Sequence, residues 1–86
     1  MITLKIPLRE PLTFTQDRAV ALAQHLSRYD ASVLIHDGNR TVNAKSVLGI
    51  LSLGFFKSDT LEFMIDGAEE EAIKETLISL FSQIKA

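Results

Sequence analysis

The chain has two imidazoles, His25 and His36, and no cysteine among its 86 residues. His25 falls at the far end of an apolar-periodic segment, and His36 falls beside a turn; their plain reading is as partly solvated side chains. Together they do not form a metal site, lacking the close ligand spacing that metals favour, so no metal or cofactor is expected. A Ser-His-Asp or Cys-His arrangement, a glycine-rich phosphate loop and a paired-acid motif are all missing from the sequence, so no enzymatic activity is expected. What remains is a set of hydroxyls placed at helix mouths. Ser46 stands directly before Val47, Leu48, Ile50 and Leu51, where a side-chain oxygen can accept a free backbone N–H. Such a cap is worth about 1 kcal/mol over alanine, and an N-cap serine needs no further role to account for it. Thr13 and Thr15 precede another apolar-periodic segment. Thr13 with Gln16 would make a capping box; Thr15 would cap with Asp17 favouring the positive end of the helix dipole. The sequence leaves both open.

The elements that carry these residues follow from hydrophobic periodicity. Ile2, Leu4 and Ile6 alternate with polar residues, the period-two pattern of a half-buried strand, which Pro7 and Pro11 then interrupt. Ala19, Leu22, Ala23 and Leu26 take the i, i+3, i+4, i+7 spacing of an amphipathic helix. Ser32 to His36 reads as a second strand, Asp37-Gly38-Asn39 as a hairpin turn, and Arg40 to Asn43 as the returning strand. A short helix follows Ser46, with Gly54 placed to stop it. Thr60 to Ile65 alternates again as a fourth strand. After Asp66-Gly67, the acidic run Glu69-Glu70-Glu71 opens a long helix, whose apolar stripe is Ile73, Leu77, Leu80, Phe81 and Ile84. In the short helix, Ile50 and Leu53 fit the single stripe that can be buried. At least two of Val47, Leu48 and Leu51 are therefore expected to face solvent, the competing reading being that all three are core. Of Phe55 and Phe56, one is expected in the core and the other at the edge of that patch. The order is β-α-β-β-α-β-α, an α+β chain that can lay its helices on one face of a mainly antiparallel sheet.

Composition bounds the rest. Eighty-six residues make one domain, without disulfides to help, and the 47% hydrophobic content suits a chain that depends on its core. The nine Lys and Arg residues are scattered and the net charge is −2, which argues against direct nucleic-acid binding. The longest apolar run, Val47 to Phe56, is broken by Gly49, Ser52 and Gly54 and is too short to span a bilayer. No signal peptide is visible at Met1-Ile2-Thr3-Leu4-Lys5, so a cytoplasmic location and no membrane insertion are expected.

The run Val42-Asn43-Ala44-Lys45-Ser46-Val47-Leu48-Gly49-Ile50-Leu51-Ser52-Leu53-Gly54 resembles the V-N-x-K-S-[IV]-[ML]-G-[VIL]-[ML]-S-L segment of the HPr phosphocarrier family. Ser27-Arg28-Tyr29-Asp30-Ala31 resembles that family's link between first helix and second strand, and Asp66-Gly67-Ala68-Glu69-Glu70 the approach to its last helix. The resemblance covers essentially the whole chain and implies an HPr-like open-faced β-sandwich, with a four-stranded sheet and three helices on one face. It fails at one place. Family phosphocarriers carry G-[IL]-H-A-R-P-A at the mouth of the first helix; here the residues are Thr13, Phe14, Thr15, Gln16, Asp17, Arg18 and Ala19. Thr15 stands at the position of the phosphorylated histidine and Asp17 at that of the supporting arginine.

The resemblance implies that Ser46 is a regulatory phosphorylation site, with an HPr kinase/phosphorylase and a catabolite-control transcription factor as partners. It further implies that Lys45, Val47, Leu48, Leu51 and Val20 contribute to partner binding. Catabolite-repression HPr-like proteins also lack the histidine and keep the serine. The preferred reading is thus a regulatory, serine-phosphorylated HPr-like protein that cannot act as a histidine phosphocarrier. One alternative is a binding module on the same fold that works without phosphorylation. Another is an ordinary phosphocarrier of the sugar phosphotransferase system, which the family label would suggest and residues 13–19 oppose.

Overall fold

A computed structural model describes residues 1–7, 12–37, 40–53, 55–56 and 60–85. Among the described residues, six strands and three helices follow one another as β1 (Ile2–Pro7), β2 (Leu12–Thr13), α1 (Gln16–Leu26), β3 (Ser32–Asp37), β4 (Arg40–Asn43), α2 (Val47–Leu53), β5 (Phe55–Phe56), β6 (Thr60–Asp66) and α3 (Glu70–Lys85). The main sheet has the order β1-β6-β3-β4 and is antiparallel throughout. Its edge strand β1 ends on Pro7, where a missing N–H costs least.

The period-two pattern sorts the two faces of this sheet. Leu4 and Ile6 of β1, Val33 and Ile35 of β3, and Leu61, Phe63 and Ile65 of β6 are buried on the inner face. Against them pack Ala19, Leu22, Ala23 and Leu26 of α1, Ile50 and Leu53 of α2, and Ile73, Leu77 and Phe81 of α3. Phe63 and Phe81 meet with ring centroids 5.6 Å apart at a tilted angle, tying the centre of the sheet to the long helix. The opposite face is open and mostly polar around the half-buried pair Leu34 and Met64: the Lys5 ammonium lies 3.8 Å from the Glu62 carboxylate, and the His36 ring bonds to the Thr41 hydroxyl at 3.1 Å across β3 and β4. This is the one-sided α+β arrangement expected from the element order.

Two features extend that expectation. Leu12–Thr13 and Phe55–Phe56 form a second, two-stranded sheet, with Leu12 opposite Phe56 and Thr13 opposite Phe55. Two-residue strands have no period to read, so only pairing across the fold reveals them. At the other hairpin, Asp37 pairs with Arg40; Gly38 and Asn39 between them lie outside the described residues, as does Gly54 and as do the side chains of Phe55, Phe56 and Ile84.

The turn into α3 shows why glycine stands at position 67. Gly67 has φ +131°, and a Cβ there would come within 3.0 Å of the Ala31 Cα. Its N–H donates to Glu70 Oε2 at 3.3 Å, so the first residue of α3 reaches back over the turn. The same carboxylate accepts the α-ammonium of Met1 at 2.8 Å. That hydrogen bond, with a further contribution from the Gly67 N–H, holds the Glu70 carboxyl below its ordinary range. The bond in turn raises the α-amino group above its ordinary value.

Candidate functional site

At the mouth of α1, the ambiguity between Thr13 and Thr15 is settled in favour of Thr15. Its backbone is extended (φ −74°, ψ 166°) and its hydroxyl accepts the Arg18 N–H at 3.3 Å. Its carbonyl accepts the Ala19 N–H at 2.9 Å, the first bond of the helix. Asp17 follows in the first turn, exposed, with the sign the dipole favours. Thr15 is thus an exposed N-cap, the ordinary use of a threonine at this place.

The mouth of α2 is built from consecutive residues, each with a separate task. Ala44 is fully buried, and its N–H extends the ladder to the Val33 carbonyl at 2.9 Å. Asn43 Oδ1 accepts the Lys45 N–H at 2.9 Å, a side-chain turn of the kind asparagine favours, while the Asn43 carbonyl accepts the Ser46 N–H at 3.1 Å. Ser46 Oγ then accepts the Gly49 N–H at 3.1 Å, and the Ser46 carbonyl accepts the Ile50 N–H at 3.0 Å. Gly49 is favoured by close approach rather than by its dihedrals. A Cβ there would meet the Asn43 carbonyl oxygen at 3.3 Å and the Ser46 Oγ at 3.4 Å. At the other end of α2, Arg40 Nη2 donates to the Ser52 carbonyl at 2.6 Å, placing a cation where the helix presents its negative end.

Around Ser46 the apolar side chains divide as one stripe of a helix must. Ile50 and Leu53 are buried. Leu48 is 80% exposed, while Val47 and Leu51 are half-buried and lean on the core. Val20 of α1 is also half-buried, and α1 packs against α2. The surface expected to take a partner therefore has one strongly exposed apolar side chain, with half-buried ones on either side of it in sequence.

Lys45 behaves differently from the other residues assigned to that surface. It is half-buried, and its ammonium donates to the Tyr29 carbonyl at 2.5 Å, in the link that follows α1. The Tyr29 hydroxyl in turn bonds the Thr76 hydroxyl on α3 at 3.0 Å. Nothing in the local pattern around position 45 foretells this, because its partner lies far back along the chain.

A concavity of about 540 Å³ lies between α1 and α3, with Phe14, Asp17, Arg18, His25 and Phe81 among its lining residues. His25, expected as a partly solvated helix residue, is half-buried on this wall. Among the described residues no group of three or more His, Cys, Asp or Glu side chains could hold a metal ion. Among the same residues, no helix is long and apolar enough to cross a membrane.

Comparison with known proteins agrees with this geometry. The family described as PTS HPr component, phosphorylation site, matches residues 4–83. The HPr-like protein Crh of Halalkalibacterium halodurans is 31% identical over 72 residues, which is 83% of this chain and 86% of that protein. The crystal structure of HPr-C-His from Thermoanaerobacter tengcongensis superposes with a TM-score of 0.80 at 26% identity, covering 93% of this chain and 90% of the other. Crh of Bacillus subtilis, described as a swapped, intertwined dimer, shares the fold with a TM-score of 0.74 at 23% identity over 96% of this chain and 95% of its own. The chain is a member of the HPr family and a relative of Crh.

Proposed function

We propose that this protein is a regulatory, partner-binding HPr-like protein of the cytoplasm, controlled by phosphorylation of Ser46 and unable to relay a phosphoryl group as a histidine carrier does. The observation that carries the reading is the pair Thr15 and Asp17 at the mouth of α1. A carrier needs an acceptor whose phosphorylated form keeps a high transfer potential; the P–N bond of a phosphoimidazole is labile, whereas a threonine phosphoester is stable and ends the relay. The Thr15 hydroxyl is an N-cap. A phosphate of charge about −1.5 to −2 at that place would also face the Asp17 carboxylate.

Ser46 has the opposite surroundings. The residue is half-buried, the neighbouring Leu48 is exposed, and a dianion there would give an arginine cluster on a partner something to grip. The relationship to Crh supports a role in catabolite regulation, with an HPr kinase/phosphorylase and a catabolite-control transcription factor as the partners. With Asp17 in place of a cation, an acidic partner surface is repelled rather than attracted, so partner choice is expected to depart from that of a phosphocarrier.

Incubation with HPr kinase and ATP tests the reading. It predicts one phosphate per chain, abolished in Ser46→Ala; no incorporation into the folded wild-type protein would count against it. The exposed Leu48 also suits a module that binds without phosphorylation. Against the catabolite-control transcription factor as probe, binding indifferent to Ser46→Ala but lost in Leu48→Asp would favour that second reading.

A further inference from the structure

The Lys45 ammonium is the one basic group adjacent in sequence to Ser46 on the N-terminal side of α2, yet it is not directed at the Ser46 hydroxyl. It donates to the Tyr29 carbonyl, just beyond the last turn of α1. There the Ser27 N–H closes on the Ala23 carbonyl at 2.9 Å and the Tyr29 N–H on the Leu26 carbonyl at 3.1 Å. Tyr29 itself is half-buried against the core and is tied by its hydroxyl to Thr76 of α3. One lysine thus joins the residue before Ser46 to the link between α1 and β3, and through Tyr29 to α3.

We propose that Lys45 is a two-position arm: at rest it holds the Tyr29 carbonyl, and a phosphate on Ser46 draws it away, so that modification at α2 is felt at the end of α1. The inference rests on the reading of Ser46 as the modified residue. Its physical basis is a competition for one cation. A carbonyl offers the ammonium a dipole, whereas a phosphoserine offers about −1.5 to −2 charges and three strong acceptor oxygens, and charge-assisted bonds to an anion are the stronger kind. Reach is sufficient: consecutive Cα atoms lie about 3.8 Å apart, and a lysine on its flexible four-carbon stem can turn to its neighbour's phosphate. The Lys45 backbone need not move, because its N–H stays on Asn43 Oδ1. What is lost is the bond that steadies the α1–β3 link, leaving the Tyr29 carbonyl to water.

The test uses full-length protein carrying phosphoserine at position 46 installed during synthesis, so that no kinase is needed and the result stands apart from whether a kinase recognises the chain. The peptide group that holds the Tyr29 carbonyl ends on the Asp30 amide, whose NMR resonance reports the state of the carbonyl. In wild type, phosphorylation is expected to displace the Asp30 resonance by more than a linewidth. In Lys45→Met the resonance is expected to sit already displaced and to move by less than a linewidth on phosphorylation. An Asp30 resonance that stays in place in phosphorylated wild type, or that moves equally in Lys45→Met, would overturn the arm. The wild-type comparison needs no variant, so poor folding of Lys45→Met does not remove the test.

Discussion

Thr15 and Ser46 are both hydroxyl side chains that cap a helix, and their difference lies in what surrounds the oxygen. Thr15 is followed by a carboxylate two residues on, whereas Ser46 is flanked by a lysine on one side and by the small Gly49 one turn ahead. Gly49 is the residue that keeps this second mouth compact, since any Cβ would press on the Asn43 carbonyl and the Ser46 hydroxyl. The carbonyl cannot easily retreat, because it also accepts the Ser46 N–H. Gly49→Ala therefore tests the close approach. Alanine is favoured over glycine in a helix by about 1 kcal/mol, but overpacking costs typically about 1–3 kcal/mol. A net loss of about 1 kcal/mol is expected, read from urea denaturation; a gain would mean that the cap has room to spare. Ser46 was readable as a cap because a serine directly before an apolar run has little else to do locally. The choice between Thr13 and Thr15 was not, since both precede the same helix and only the backbone geometry at Thr15 decides it.

Among the elements, the helices are held at their ends as much as along their faces. Arg40 closes the negative end of α2 through the Ser52 carbonyl, and Glu70 opens α3 while binding the Gly67 N–H and the Met1 ammonium. Because Glu70 titrates below its ordinary range when folded, its contribution is present above the unfolded carboxyl value. It is lost as pH falls through the folded one. The melting temperature of wild type should exceed that of Glu70→Gln near neutrality, and the gap should close on acidification. A gap that persists at a pH below both carboxyl values would contradict this. The strands and helices with a repeated pattern were legible, as the alternation of Leu61, Phe63 and Ile65 and the stripe of Ile73, Leu77 and Phe81 show. Contacts between distant segments were not. The Lys45–Tyr29 bond, the pairing of β2 with β5, and the concavity between α1 and α3 depend on which elements the fold brings side by side.

For the molecule as a whole, a Cα radius of gyration of 11.6 Å is close to the roughly 12 Å expected for a compact chain of this length. Among the described residues no polar or charged side chain is buried, so packing of apolar groups carries the stability. Phe63 is fully buried and touches Phe81 across the sheet–helix boundary. Removing a buried phenylalanine costs about 3–5 kcal/mol, against a total of about 4–13 kcal/mol for a domain of this size. Phe63→Ala should therefore lose a large share of its stability, with a urea midpoint far below that of wild type; a midpoint within error of wild type would refute a single core centred on that pair. At this scale the frame is that of the HPr family, with its four-stranded sheet and three helices; the divergence proposed above needs changes only at exposed positions such as Thr15 and Asp17 at the mouth of α1, away from the core.

The central claim concerns that mouth, and phosphoryl transfer tests it most directly. Purified protein is incubated with enzyme I and radiolabelled phosphoenolpyruvate, with an ordinary HPr run in parallel as the positive control. No acid-labile label should accumulate on this chain and none should pass onward to a sugar-specific acceptor. Label that reaches such an acceptor through this protein would contradict the account.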